Sequence, residues 1–127
     1  MSCKICTGEI AIPKKNTINK QEFKDKVFAK IHEMRQKAEY YRHNHCNRLH
    51  EEYVVKQSTY ADCLKMIKGA ESKAELLEKA RKATYDNHGY EIAVRNGMVQ
   101  IGKLIYAKHS VFYEFMYLVD MELEDFK

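Results

Sequence analysis

Two pairs of side chains in the sequence have the chemistry and spacing of zinc ligands. Cys3 and Cys6 form a Cys-x-x-Cys pair followed by Gly8, which eases the turn that places two thiolates on one tetrahedral ion. Cys46 and His50 are four residues apart and would share one face of a helix. Together the two pairs would supply the four ligands of a structural zinc site.

Distance weighs against this metal site. If a helix begins near residue 20, Cys46 lies about 39 Å along it at a rise of ~1.5 Å per residue. The chain from Cys6 to that helix start reaches at most about 50 Å when fully extended, so it would have to run back along the helix almost taut. We therefore expect no cofactor, and structural zinc on Cys3, Cys6, Cys46 and His50 is the alternative.

Histidines offer a second kind of chemistry, that of a nuclease. Arg81 and His88 have the loose spacing found in a family of helical ribonucleases, and His50 is a further candidate. His45 and His109 fall within the apolar stripes of predicted helices, where a neutral core histidine is the more common situation. The sequence has no phosphate loop, dinucleotide-binding glycine pattern, Gly-x-Ser-x-Gly motif or His-Glu-x-x-His motif. An enzyme is not favoured, and a small helical nuclease is the third hypothesis.

A tyrosine-bearing helix near the C-terminus points to a macromolecular partner. The predicted helix over residues 105–124 is apolar over more than half of its circumference, which is more than one modest contact would bury. Tyr106, Tyr113 and Tyr117 lie on another side of this helix. Because tyrosine supplies a large contact area at modest entropic cost, these three residues are the predicted protein-binding residues. A homodimer is the simplest version of this hypothesis.

The basic first half of the chain supports a second hypothesis, nucleic-acid binding. The net charge is +4, with basic residues concentrated in the first 50 positions and acidic residues near the end. The candidates for phosphate contact and base stacking are Lys26, Lys30, Lys37, Tyr40 and Arg48. The competing interpretation is that these side chains lay their methylene groups along the core and keep their charges in water.

Length and composition indicate one globular domain. The 127 residues are 45% hydrophobic and 31% charged, which fits a single domain, 1–127. No apolar run approaches the ~20 residues of a membrane span, and Met1–Lys4 lacks the apolar block of a secretion signal. We therefore expect a cytoplasmic protein without a membrane partner. The Lys-, Asn- and Tyr-rich composition also suits an accessory or inhibitor protein of a bacterial virus or mobile element.

Periodicity predicts about four helices, one of them long. Asn19 followed by Glu22 is the pattern of a capping box, and apolar residues from Phe23 to Leu49 then recur every three or four positions. Since glycine and proline are absent from this stretch, a single helix is predicted from about 20 to 56. A break is expected at 56–59, followed by a short helix.

A β-hairpin is predicted over residues 90–103. Asn96-Gly97 fits both positive-φ positions of a type I′ turn. With this loop, the apolar side chains share one face, Val94 opposite Val99 and Ile92 opposite Ile101. One register thus satisfies turn chemistry and burial together.

The predicted fold is α+β, mostly helical with a small antiparallel β-hairpin. In an alternative form of this prediction, the N-terminal strand pairs with the hairpin to give a three-stranded sheet. The predicted segments are an N-terminal strand and connector (1–18), the long and short helices (19–68), a helix (72–88), the hairpin (90–103) and the C-terminal helix (105–124). The predicted function is that of a small non-enzymatic regulator that binds another macromolecule, with a protein favoured over a nucleic acid.

Overall fold

The computed structural model describes residues 17–84, 92–93 and 95–126. Its helices are α1 (Lys20–His43), α2 (Asn47–Gly69), α3 (Lys73–Thr84) and α4 (Val99–Glu122). In these residues, β pairing is limited to one parallel bridge between Ile18 and Leu123. The described chain is therefore an all-α fold of four helices, and the predicted α+β class is wrong.

In the described residues of the range 90–103, helix and a helix end replace the predicted β-hairpin, and Val94 lies outside the described residues. Val99 and Ile101, which were to face the core from the second strand, lie in the first turn of α4 and are 62% and 49% exposed. Ile92 and Ala93, from the predicted first strand, have helical backbone. The predicted N-terminal strand at residues 8–12 lies outside the described residues.

The Asn96-Gly97 pair ends a helical segment instead of turning a hairpin. The Asn96 amide donates to the Ile92 carbonyl (3.1 Å), and the Met98 amide donates to the Ala93 carbonyl (2.8 Å). With Gly97 at φ +71°, this is the pattern of a Schellman helix end. A type I′ turn would also need a positive φ at Asn96, which the structure does not show.

The beginning of α1 follows the prediction closely. The Glu22 amide donates to the Asn19 side chain (2.8 Å), and the Asn19 amide donates to the Glu22 carboxylate (3.1 Å), so the capping box is confirmed. The buried residues of α1 are Phe23, Val27, Met34 and Ala38, which confirms the first part of the apolar stripe.

The predicted long helix is wrong because α1 ends at His43 and the chain reverses. His45 has φ 60°, the left-handed conformation usually taken by glycine at a helix end. Its amide donates to the Arg42 carbonyl (3.2 Å), and the Cys46 amide donates to the Tyr41 carbonyl (2.9 Å). Both hydrogen bonds of a Schellman motif are thus present around a histidine, which is why the absence of glycine misled the prediction.

This turn changes the position of several predicted core residues. His45 and Leu49 were assigned to one continuous apolar stripe, but both are exposed. The expected break at 56–59 is instead continuous helix, where the Thr59 hydroxyl donates to the Val55 carbonyl (2.7 Å). As a result, α2 folds back and packs along α1.

The core lies between these two helices and α3 and α4. At the start of α3 the Ser72 hydroxyl accepts from the Glu75 amide (3.1 Å), while the Glu75 carboxylate accepts from the Glu71 amide (2.8 Å). That backbone hydrogen bond and the Lys79 ammonium hold the pKa of Glu75 below its usual value. The most deeply buried large side chains are Phe23, Val27, Cys63, Ile67, Leu76, Phe115, Val119 and Leu123.

The C-terminal end of α4 is tied to the start of the fold. The Ile18 amide donates to the Glu122 carbonyl (2.8 Å), and the Glu124 amide donates to the Ile18 carbonyl (2.9 Å). The Lys73 ammonium donates to the carbonyls of Asp120 (3.2 Å) and Leu123 (2.7 Å). A cation at this position satisfies terminal carbonyls and complements the helix dipole.

We expect the substitution His45→Gly to stabilise the protein by about 0.5–1 kcal/mol, because glycine removes the steric cost of the left-handed conformation. Chemical denaturation measures the free energy of unfolding. His45→Ala is the control, since it removes the same ring but keeps the unfavourable φ. Equal stabilities for the glycine and alanine variants would contradict the turn described here.

A second pair of variants distinguishes the helix end at Gly97 from a hairpin. Gly97→Ala is expected to lower the free energy of unfolding by about 1 kcal/mol because alanine disfavours φ +71°. Asn96→Ala should change it by less than about 0.5 kcal/mol. A type I′ turn would make both substitutions costly, so similar losses in the two variants would support the hairpin.

Candidate functional site

Helix α4 has one buried face and one exposed face. Its buried residues are Gly102, Ala107, Val111, Phe112, Phe115, Leu118 and Val119. Tyr106, Tyr113 and Tyr117 are 64%, 55% and 63% exposed. The structure therefore places the three predicted protein-binding tyrosines together on the outside of α4.

Two further apolar side chains lengthen this surface. Val99 (62% exposed) and Met121 (40% exposed) fall in the same sector of roughly 80° as the three tyrosines, at ~100° per residue. We call these five residues the tyrosine face; it runs about 33 Å along the helix at ~1.5 Å per residue. Within the described parts of the chain, no ring of the tyrosine face stacks on another ring, and none of its tyrosine hydroxyls makes a hydrogen bond.

A hollow of about 290 Å³ adjoins the N-terminal end of the tyrosine face. Its lining is mainly apolar and includes Met98, Val99, Gly102 and Tyr106, with Lys103 at its edge. Methionine adapts its shape to irregular apolar groups. The hollow and the tyrosine face together form a continuous surface suited to bulky apolar side chains of a partner.

A polar cleft of about 220 Å³ lies between α1, α2 and α4. The charged and aromatic residues that line it are Lys30, Glu33, Lys37, Tyr53, Lys56, Tyr60 and Glu114. At its base, the buried Tyr60 hydroxyl donates to the Glu114 carboxylate, whose other oxygen lies 3.5 Å from the Lys30 ammonium. Burial, and then the hydrogen bond to Glu114, raise the pKa of the Tyr60 hydroxyl far above its ordinary value.

Sequence reasoning did not select the cleft residues Tyr53, Lys56 and Tyr60. A signal for Tyr60 was present, because Tyr60, Cys63 and Ile67 have helical spacing and are all buried. No such signal existed for Lys56, a charged residue at the start of the predicted break at 56–59. Its place in the cleft depends on α2 folding back against α1.

Ion pairs join the predicted nucleic-acid-binding lysines to acidic residues. Lys26 pairs with Glu122 at the end of α4, Lys30 pairs with Glu114, and Lys37 lies 3.5 Å from Glu33. Each of these lysines is therefore paired with a carboxylate, whereas the nucleic-acid hypothesis expected their charges to be free.

The other two predicted nucleic-acid contacts lie near the turn between α1 and α2. Tyr40 is 61% exposed and meets Tyr41 edge to face, at 5.2 Å between ring centroids. Arg48 is exposed in the first turn of α2, and its carbonyl accepts a hydrogen bond from Gln100 (3.3 Å). These residues remain accessible, but the three lysines predicted to extend their surface are ion-paired to carboxylates.

The predicted zinc site is not found as far as the structure describes the chain. Cys46 is exposed and precedes α2, and the His50 Nδ1 atom donates to the Ala38 carbonyl at 2.8 Å. Among the described residues, no group of three or more His, Cys, Asp or Glu side chains is placed to hold a metal ion. Cys3 and Cys6 lie outside these residues. The zinc prediction is thus wrong for the part that can be tested.

The candidate nuclease residues that the structure describes, Arg81 and His50, are engaged with other partners. Arg81 pairs with Glu78 in α3, and His88 lies outside the described residues. His45 and His50 lie on opposite sides of the start of α2, with His45 in the turn and His50 bound to a backbone carbonyl.

Comparison with known proteins adds no relative. No known protein family, curated protein or solved structure matches the chain with significant similarity. None of the described helices combines the length and apolar character needed to cross a membrane.

We expect Tyr60→Phe to lower the free energy of unfolding at neutral pH by about 1–2 kcal/mol, because Glu114 loses a buried hydrogen-bond donor. Above about pH 10 the unfolded state loses the Tyr60 proton while the folded state keeps it, so this residue makes stability fall as pH rises. The variant should remove up to ~1.4 kcal/mol per pH unit of that slope. Tyr113→Phe is the control, and an equal effect in both variants would contradict the arrangement at Tyr60.

Proposed function

We propose that this protein is a small non-enzymatic regulator that binds another protein through the tyrosine face of α4. The observation that supports this proposal is the exposure of Tyr106, Tyr113 and Tyr117 in one line, between 55% and 64% of each residue. The opposite face of the same helix is already buried in the core. The exposed aromatic surface is thus not needed to hold the four helices together.

The chemistry of this surface suits a protein partner. Tyrosine is enriched among the residues that contribute most to binding energy at protein interfaces, since its ring buries apolar area and its hydroxyl still finds a partner. Val99 and Met121 lengthen the apolar contact at both ends. The hollow beside Met98 and Tyr106 provides a place for an anchoring side chain. A long ridge with an adjoining hollow favours a helix or an extended groove as the complementary surface.

A second copy of the chain is the simplest partner, and a heterologous protein is the alternative. An accessory or inhibitor role in a bacterial virus or mobile element would use the same face. We place the protein in the cytoplasm, where Cys46 and Cys63 would remain thiols.

Nucleic-acid binding receives less support from the structure. Three of its predicted contacts, Lys26, Lys30 and Lys37, each face a carboxylate, so part of the charge that phosphates would meet is already neutralised. A small helical nuclease receives less support still, because Arg81 pairs with Glu78 and His50 is bound to the Ala38 carbonyl.

The tyrosine face is tested with the triple variant Tyr106→Ser, Tyr113→Ser and Tyr117→Ser. If the wild-type chain is a homodimer, we expect the triple variant to be monomeric in sedimentation at micromolar concentration. If the partner is another protein, we expect the Kd for that partner to rise by at least about 30-fold, which corresponds to a loss of ~2 kcal/mol of binding energy. The variant's free energy of unfolding should stay within about 1.5 kcal/mol of wild type, since single exposed substitutions cost up to ~0.5 kcal/mol each.

Tyr40→Ser provides the matched control, because Tyr40 is equally exposed (61%) but lies on α1. It should retain every interaction that the triple variant loses. The proposal would be refuted if the wild-type chain is monomeric and its protein partners bind the triple variant with the same affinity as the wild type. If the protein binds RNA or DNA at low salt and this binding depends on Lys26 and Arg48, the nucleic-acid hypothesis would be favoured instead.

A further inference from the structure

The polar cleft between α1, α2 and α4 gathers more positive than negative charge. Its three ammonium groups belong to Lys30, Lys37 and Lys56, and its two carboxylates belong to Glu33 and Glu114. The cleft is separate from the tyrosine face. With one uncompensated positive charge, it is electrostatically suited to an anion.

Two of the three ammonium groups lie near the ring of Tyr53. The Lys56 ammonium lies 5.0 Å and the Lys37 ammonium 5.7 Å from the ring centroid. Tyr41 stacks on the same ring at 5.5 Å with an interplanar angle of 12°, which holds the ring in place. Two like charges are thus positioned near one aromatic group, where each is attracted by the ring but repelled by the other.

The two carboxylates do not cancel this arrangement. Glu33 lies 3.5 Å from Lys37, while Glu114 is shared between the Lys30 ammonium and the Tyr60 hydroxyl. Lys56 has no carboxylate within ion-pair distance among the residues that the structure describes. The uncompensated charge in the cleft is therefore that of Lys56.

We propose that this cleft binds a phosphate dianion, either free or as a phosphate monoester. The volume of about 220 Å³ accommodates the group, and Ser110 adds a hydroxyl to the lining. The Lys56 ammonium on α2 and the Lys37 ammonium on α1 can each donate to a different oxygen of a tetrahedral anion, since Lys37 has three N–H donors and its ion pair with Glu33 does not use them all. Charge-assisted hydrogen bonds of this kind are stronger than neutral ones. A planar carboxylate has only two oxygens and one charge, so it would accept fewer hydrogen bonds from these ammonium groups and bind more weakly.

Isothermal titration calorimetry of the full chain with inorganic phosphate tests this site, with glycerol phosphate as the monoester and acetate as the monoanion. We expect saturable phosphate binding with a Kd on the order of 1 mM or tighter. The binding should persist in 0.15 M NaCl, conditions that screen diffuse attraction beyond about 8 Å. Binding of phosphate with exclusion of glycerol phosphate would identify free phosphate as the ligand, and binding of both would identify a site open to monoesters.

Lys56→Met and Lys65→Met are the matched variants, since both lysines are on α2 but Lys65 is exposed and does not line the cleft. We expect at least about a tenfold rise in the phosphate Kd for Lys56→Met, as loss of one strong ionic contact predicts, and no change for Lys65→Met. Circular dichroism checks that both variants are folded. No saturable binding by wild type, equal binding of acetate, or equal losses in the two variants would overturn the proposal.

Discussion

Burial of the inner face of α4 is the constraint on which the rest of this structure depends. Phe115 and Val119 are fully buried, and the Phe115 ring lies 6.1 Å from that of Phe23 on α1. Full burial of a large apolar side chain contributes about 1.5–3 kcal/mol, so these contacts are a major part of the driving force. Since α4 also packs on α2 and α3, its inner face brings all four helices to one core. The tyrosines are exposed because this packing uses the opposite side of the helix.

The turn at His45 has a comparable consequence for the polar surface. By directing α2 back along α1, it brings Lys56 and Tyr53 opposite Lys37, and it places Tyr60 beside Glu114 of α4. These residues are far apart in the sequence, and a single straight helix would not have assembled them. The cleft is therefore a product of the helix reversal, whereas the tyrosine face is a property of one helix.

The accuracy of the sequence-based predictions follows this distinction. The capping box at Asn19 and Glu22, the apolar stripe that begins at Phe23 and the amphipathic character of the last helix all depend on neighbours within one or two turns. Each could be predicted because 3.6-residue periodicity and capping chemistry act locally. The reversal at His45 could not, because a histidine in a left-handed conformation costs energy locally and persists only when packing of α1 against α2 repays that cost.

Asn96-Gly97 shows most clearly where local information ends. The sequence alone determined that a positive φ is favourable at Gly97 and that apolar residues flank it on both sides. It did not determine whether that φ turns a hairpin or ends a helix, since a glycine suits both. The tertiary structure decided, because the amides of Asn96 and Met98 donate to the carbonyls of Ile92 and Ala93 as at a helix end, and Val99 and Ile101 are not buried. Those two side chains are left in solvent, so the alternating apolar pattern of the sequence does not correspond to a buried face.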